Sequence, residues 1–493
     1  MQDVRVREDK IKEVRKQTSF RDFVKEITSR YNFNLFRYQW HISRYPEVER
    51  NKNIVDDLSI SMNNSCIGEY TGDFFKDFHD LYTRSPKANI LHYGSNENCE
   101  FSDGSYGAKN CYLSFWAGRG VENALYSTFV VNNCTNIIDS FCVASNCDNI
   151  FSSKSVLESS NIFYSVQIHN SYNIYFSSNL IGCKNCLFCD GLENQSYCIH
   201  NKQFSQEAYE EEKKSILQDK KKFAEWYQKI HTNIGNLWSH NVTGKGITQS
   251  ENIENGYYVT YAKDSKNVIL YEGGKTWSYN FYDGIDIGLD AHDFYASCQA
   301  GTRAHDVYCC VFIGASHAYY CMHIDDTCSY CLGCVGLQNK QFCILNKQYT
   351  KEERFILANK IFEDMEKAWT LGQFFPGWMN PFYFNDTAAY LIDDSFSKEE
   401  VEKQWYMRRD DEIKVDIPAW TEILTKNDVH TYQWYTTNGE WEIKKDILKK
   451  VIKDEKWNYY RIVPMELKFL QKHGLPLPEL HRLERIKLWF EFN

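Results

Sequence analysis

The chain has 493 residues, of which 43% are hydrophobic and 25% charged, with 18 Cys, only 8 Pro and a formal net charge of −10. That balance excludes a disordered polyelectrolyte, and no run approaches the ~18 consecutive apolar residues of a bilayer-spanning helix. The opening residues MQDVRVREDKIKEV contain no apolar signal-peptide core. A soluble, cytoplasmic protein with no membrane partner is therefore expected, its cysteines thiols or metal ligands rather than a disulfide framework.

Residues 1–85 read as an N-terminal module, helical at first (Phe20 to Tyr31) and then irregular. Residues 87–375 contain no proline, where the usual ~5% would supply about 14. All the cysteines fall between Cys66 and Cys343.

Within 86–205, Asn recurs before an apolar or aromatic residue at Asn110, Asn123, Asn136, Asn149, Asn161, Asn173 and Asn185, at spacings of 12 or 13. Short alternations rich in β-branched, aromatic and Ser residues separate the beats, which is strand and turn chemistry. A regular period without Pro predicts a parallel β-solenoid (β-helix), because Pro would remove a ladder hydrogen bond. Two beats per coil of about 25 residues is the preferred geometry, since a 12-residue coil leaves little interior room for the many Phe and Tyr. Asn suits the corners: it tolerates left-handed backbone, and its amide can bond its counterpart one coil away.

Residues 206–235 then read as a helix (roughly 206–231) and linker, with Ser205 as N-cap and Ile216, Phe223, Trp226, Tyr227 and Ile230 on one side. A second solenoid copy spans 236–350, its beat falling on Asn255, Asn267, Asn280, Asp293, Asp306, Ala318 and Tyr330. A second helix follows in 351–375, opened by Thr350-Lys-Glu-Glu353 as a capping box. Both helices are expected to cap the open solenoid ends, where strand edges lie unpaired. Residues 376–493 begin as an aromatic linker and continue as a small α+β module, with a helix at 464–473 between Pro464 and Gly474, then a last helix.

The two copies are a tandem duplication. Cys183-Lys-Asn-Cys186-Leu-Phe-Cys189-Asp-Gly-Leu-Glu-Asn-Gln-Ser-Tyr-Cys198-Ile-His-Asn-Lys-Gln-Phe-Ser205 recurs 145 residues later, from Cys328 to Thr350, without a gap. This element, together with Asp73-Phe-Phe-Lys-Asp-Phe-His-Asp-Leu81 and Tyr460-Arg-Ile-Val-Pro-Met-Glu-Leu-Lys-Phe-Leu-Gln-Lys-His-Gly-Leu-Pro-Leu-Pro478, resembles a family of uncharacterised, Cys-rich tandem-repeat proteins from metagenome-derived bacterial genomes. The likeness runs from about residue 73 to the C-terminus. It implies the repeat architecture and no assigned activity. Members of that family carry Cys-x2-Cys zinc-ribbon pairs beside the terminal segment, where this chain has Asp454 to Tyr460 and no cysteine.

Two constellations carry candidate chemistry. Cys183, Cys186, Cys189 and Cys198, with their copies Cys328, Cys331, Cys334 and Cys343, could bind Zn through four thiolates. Against this, Cys186 to Cys198, Cys331 to Cys343, Cys298 to Cys310 and Cys309 to Cys321 are each 12 apart, the solenoid beat. Buried Cys also packs as a small hydrophobe, and inert packing is the favoured reading, with zinc second and redox or cluster chemistry third.

The second constellation is Asp283, Asp286, Asp290, His292, Asp293, Arg303, His305, Asp306, His317, His323, Asp325 and Asp326, found in the second copy alone. His292, His305 and His317 are spaced to line one edge. With His292, His305, Asp306, Asp325 and Asp326 as catalytic candidates, a carbohydrate-active hydrolase or lyase is the enzymatic alternative, beside a ligand groove and a solvated acidic edge.

Residues 1–50 and 443–493 carry net charges of +4 and +5, leaving −19 for the middle. The acidic middle argues against wrapping nucleic acid. Basic termini, with Trp434, Tyr459, Tyr460 and Arg461, leave nucleic-acid association as a third alternative, although aromatics in such a tail more readily form a small core. The overall expectation is a binding or structural scaffold with a protein or glycan ligand on the solenoid face.

Overall fold

Residues 2–30, 53–55, 58–89, 91–99, 101–260, 262–263, 266, 271–272, 282–285, 295–297, 306–410, 416–456 and 458–491 are described by a computed structural model. Its governing feature is local. Through the first copy nearly every third residue is left-handed: Asn149 (φ 55°), Ser152 (46°), Ser155 (56°), Glu158 (47°), Asn161 (56°), Tyr164 (54°), Gln167 (56°) and Asn170 (46°). Each is a corner. The residue after each corner points inward, so Cys147, Ile150, Ser153, Val156, Ser159, Ile162, Ser165 and Ile168 are all buried.

Four such triplets complete a coil. Thr135, Asp148, Ser160, Tyr172, Lys184 and Ser196 are register partners on one flank, and Phe141, Lys154, Val166 and Ser178 on another, all parallel. The fold is a parallel β-solenoid of about 16 turns. Each step along these two flanks is 12 or 13 residues, so the coil holds one beat, and the preferred 25-residue coil is corrected. The interior needs no room for rings because the rings are outside. Inward positions carry Ile, Val, Leu, Ala, Ser and Cys, while Tyr164, Phe176, Phe188 and His200 stack on an outer corner at centroid separations of 5.0, 5.5 and 5.0 Å.

Two ladders tie successive coils. Asn110, Asn123, Asn136, Asn149, Asn161, Asn173 and Asn185 pass side-chain amide hydrogen bonds along the corner at 2.9–3.3 Å, as the sequence suggested. Inside, the backbone N–H of Ser140, Ser153, Ser165, Ser177 and Cys189 donates to the hydroxyl one coil earlier at 3.0–3.3 Å. Each hydroxyl donates in turn to a carbonyl two residues back, Ser153 to Phe151 at 2.9 Å. Polar atoms inside the narrow core are thereby satisfied.

The described residues form two units. One comprises Met1–Asn34, Ile42–Leu91 and Gly235–Asp410; the other is built chiefly of His92–Ile234 and Asp411–Asn493.

In the second unit, helices α4 (Gln206–Leu217) and α5 (Phe223–Ile230) follow the first copy. Ser205 caps α4 as expected, accepting from the Ala208 amide. α5 lies along the flank rather than over an end, with Phe223 and Trp226 edge-on to Phe176 at 4.9 and 5.3 Å. The C-terminal helices α7 (Pro464–Lys472) and α8 (Arg482–Lys487) also cover the flank. Phe469 stacks on Phe151 at 5.9 Å, and Trp489 on Phe141 at 5.8 Å. Pro464 opens α7, and Gly474 (φ 62°) follows its end.

In the first unit the N-terminal module holds α1 (Gln2–Gln17), α2 (Phe20–Glu26) and α3 (Phe74–Arg84). α3 falls in the stretch expected to be irregular; Asp73 caps it, and Phe74, Phe75, Phe78, Leu81 and Tyr82 form its buried stripe. α6 (Lys351–Lys367) starts with the Thr350–Glu353 capping box and lies beside successive coils, Phe355 near Tyr330 and Phe362 near Tyr319. The second-copy register shortens to 11 at Val307↔Ala318, which moves the beat from Ala318 to left-handed His317. Asn267, Asn280 and Asp293 lie outside the described residues.

Candidate functional site

The sequence-predicted thiols occupy the solenoid interior. Cys183 and Cys189 take serine places in the inner ladders: their amides donate to Ser171 and Ser177, each at 3.0 Å, and their thiols donate to the carbonyls of Ile181 and Leu187, each at 3.4 Å. Cys186 and Cys198 continue the aliphatic column of Ile162 and Ile174. In the second copy Cys321 donates its amide to the Cys310 sulfur at 3.2 Å, and Cys334 donates to Cys321 at 3.3 Å.

The thiols also meet one another. Hydrogen bonds donated to Cys183 and Cys189, then burial, push the Cys186 thiol far up. Cys331 is pushed up likewise by Cys328, Cys334 and Cys343. The same contacts act the other way on their partners: they hold Cys183 down to about 7 and lower Cys189 and Cys328. Among the described residues no group of three or more His, Cys, Asp or Glu side chains is arranged to hold a metal ion.

One charge beside the second thiol group escaped the sequence reading. Arg354 is 1% exposed, and its Nε donates to the Tyr330 carbonyl at 3.0 Å. Burial lowers its pKa, with Tyr319, Cys331, Cys334 and Cys321 acting against that shift. Tyr209 stands at the equivalent place 145 residues earlier.

Of the His/Asp constellation, Asp283, Asp306, His317, His323, Asp325 and Asp326 are among the described residues. His317 Nδ1 pairs with Asp306 at 2.9 Å, both half-buried. The His317 ring stacks on Tyr330 at 4.4 Å, and His323 on Phe312 at 5.0 Å. Asp325 accepts from the Thr327 amide at 2.9 Å, and Asp326 is exposed. Asp283 leaves the edge altogether: it is fully buried and binds Arg15 of α1 at 2.6 Å, and burial raises its carboxyl to about 6. Asp286, Asp290, His292, Asp293, Arg303 and His305 lie outside the described residues.

In the C-terminal module Tyr460 is buried and donates to the Pro478 carbonyl at 2.7 Å, so it belongs to a small core, while Trp434 is exposed. Around α7 and α8, Asp139, Glu466 and Arg482 are buried and Arg485 is half-buried. Arg485 bonds both Asp139 and Glu466, and burial raises Asp139 to about 7 despite that partner.

One flank of the first copy differs from the rest. Glu122, Tyr172 and Lys184 are exposed and Thr135, Asp148, Ser160 and Ser196 half-buried, a polar row beside the Asn ladder. Asp148 braces it, accepting from Thr135 at 2.9 Å and Asn136 at 3.0 Å. Among the described residues no helix is long and apolar enough to cross a membrane.

The class defined by these features is a parallel β-solenoid with helix-covered flanks. No protein-family model matches the chain, and no curated protein matches it. A solved structure described as a "putative acetyltransferase" from Desulfovibrio desulfuricans G20 is similar over 63% of this chain and 74% of its own, at 11% identity and a TM-score of 0.12. At that score it carries no argument.

Proposed function

We propose that the protein is a non-catalytic binding scaffold whose open first-copy flank holds an extended glycan chain. The observation that carries this reading is selective coverage. The aromatic flanks of the first copy are covered by the chain's own helices, while the row Glu122, Thr135, Asp148, Ser160, Tyr172, Lys184 and Ser196 is left polar and accessible. Parallel in-register strands repeat such side chains every ~4.8 Å. That row offers hydroxyl, carboxylate and ammonium groups to an extended chain of hydroxyls, with exposed Tyr172 as a flat apolar platform. The hydrolase reading has less support: Asp306 is engaged by His317 and Asp325 by Thr327.

Affinity electrophoresis through gels containing neutral and acidic polysaccharides tests the proposal. Retardation by at least one polysaccharide is expected, weakened about tenfold or more in Tyr172→Ala, with no reducing sugar released. Unretarded wild type, or equal retardation of Tyr172→Ala, overturns it.

A further inference from the structure

Lys220 opens the short helix Lys220–Lys222 that joins α4 to α5. Its ammonium lies 4.8 Å from the ring centre of Phe223, 5.4 Å from Trp441 and 5.7 Å from Tyr435. Tyr435 and Trp441 are cross-strand partners with rings 5.0 Å apart, tilted by 59°. The neighbouring carboxylate, Asp219, pairs with Lys222 at 3.0 Å instead. Three aromatic faces therefore surround a cation that has no carboxylate or carbonyl acceptor among the described residues.

The walls stand without the lysine. Trp441 Nε1 donates to the Leu475 carbonyl at 3.0 Å, and Tyr435 donates through its hydroxyl to Leu217 at 3.4 Å. Phe223 is buried against Phe176 and Tyr164. Tyr435 is 37% exposed, so the cage reaches solvent.

The chemistry of the cage suits another occupant better than the one it holds. Aromatic faces attract any cation through their quadrupole, but they accept hydrogen bonds poorly. A primary ammonium brings three N–H donors that meet no protein acceptor among the described residues and are left to water at the half-buried mouth of the cage, a partial desolvation. Burial correspondingly pushes the Lys220 amine down to about 8. A fully methylated ammonium keeps the charge and has no donors to satisfy.

We propose that Phe223, Tyr435 and Trp441 form a binding site for a methylated ammonium group, in which Lys220 is an internal, displaceable occupant. The same chemistry is offered by a small choline-like molecule and by a trimethylated lysine side chain. The site is independent of the polar flank and of the glycan reading.

Isothermal titration of the full chain tests the site, with tetramethylammonium chloride, choline, a trimethyl-lysine peptide and its unmethylated counterpart as probes at fixed ionic strength. Removing the internal competitor in Lys220→Ala is expected to tighten binding of at least one methylated probe tenfold or more. Adding Trp441→Ala to that variant is expected to abolish the gain, and the unmethylated peptide to bind at least tenfold more weakly. Binding of choline alone identifies a small-molecule ligand, and binding of the peptide a macromolecular one. The proposal is overturned if Lys220→Ala, with wild-type circular dichroism, binds no methylated probe, or if loss of Trp441 leaves binding unchanged.

Discussion

Asn161 is a rung where corner geometry and side-chain ladder can be separated. Its backbone is left-handed at φ 56°, its Oδ1 accepts from Asn149 at 3.1 Å, and its Nδ2 donates to Asn173 at 3.0 Å. Asn161→Ala removes both hydrogen bonds, worth about 0.5–1.5 kcal/mol each, and places a Cβ-bearing residue without polar compensation in a conformation costing about 1 kcal/mol. The expected destabilisation is about 2–4 kcal/mol. Asn161→Gly loses the same bonds but relaxes the corner, and should recover about 1 kcal/mol of that loss. Urea unfolding followed by circular dichroism measures both as shifts in the midpoint of the transition in which the first copy unfolds. Equal midpoints for the two variants would refute the corner argument; a loss below about 0.5 kcal/mol in Asn161→Ala would refute the ladder.

Arg485→Met leaves Asp139 and Glu466 buried without their shared cation, and a loss of about 3–5 kcal/mol is expected; adding Asp139→Asn and Glu466→Gln should restore most of it, and a neutral single variant contradicts the account. Burial holds the His169 imidazole down to about 4, so the unfolded chain takes up this proton first as the pH drops. Its stabilisation is complete above pH ~6.5 and is lost between there and about pH 4, at about 1.4 kcal/mol per unit. Asp139, raised to about 7, acts in the opposite sense, stabilising most at low pH and losing that contribution as the pH rises through 7. His169→Leu should therefore flatten the acid limb of a stability–pH curve, and an unchanged slope would count against it. At Cys321, Ser keeps an acceptor for the Cys334 amide whereas Val orphans it, a difference of about 1–3 kcal/mol; Val proving the better tolerated would reverse the assignment. If the thiols pack rather than ligate, elemental analysis of chelator-washed protein finds well under one Zn per chain, and stoichiometric Zn would restore the metal reading.

Local chemistry was legible in the sequence where it acts locally. The Asn beat, the Thr350 capping box and the Pro464–Gly474 bounds of α7 each follow from a residue's own conformational preference, and each is observed. Coil size was misread because Phe and Tyr were assigned to the interior. The informative signal was the inward residue at every third position, and the column Ser127, Ser140, Ser153, Ser165, Ser177, Cys189 states the coil length directly. Rings such as Phe176 at left-handed corners run against intrinsic preference. They are held there by stacking on neighbouring coils and by α5, a tertiary effect with no local trace. The His/Asp row depended on register, and one 11-residue step moved His317 opposite Asp306. The Lys220 cage joins residues far apart in the chain, so no spacing rule could reveal it.

The pairing of terminal segments with solenoid copies has a consequence for how the chain is made. The unit containing Gly235–Asp410 also includes the N-terminal segments, and the unit built on His92–Ile234 also includes Asp411–Asn493. During synthesis at ~5–20 residues per second, the first copy leaves the ribosome with Phe141, Phe151 and Phe163 bare, and their cover, Phe469 and Trp489, is translated only after the second copy. For tens of seconds the nascent chain shows a ladder of apolar rings to its surroundings. Its yield should therefore depend on dilution and chaperone supply more steeply than its final stability suggests, and coexpressed holdase capacity should raise recovery without altering the unfolding midpoint of the purified protein.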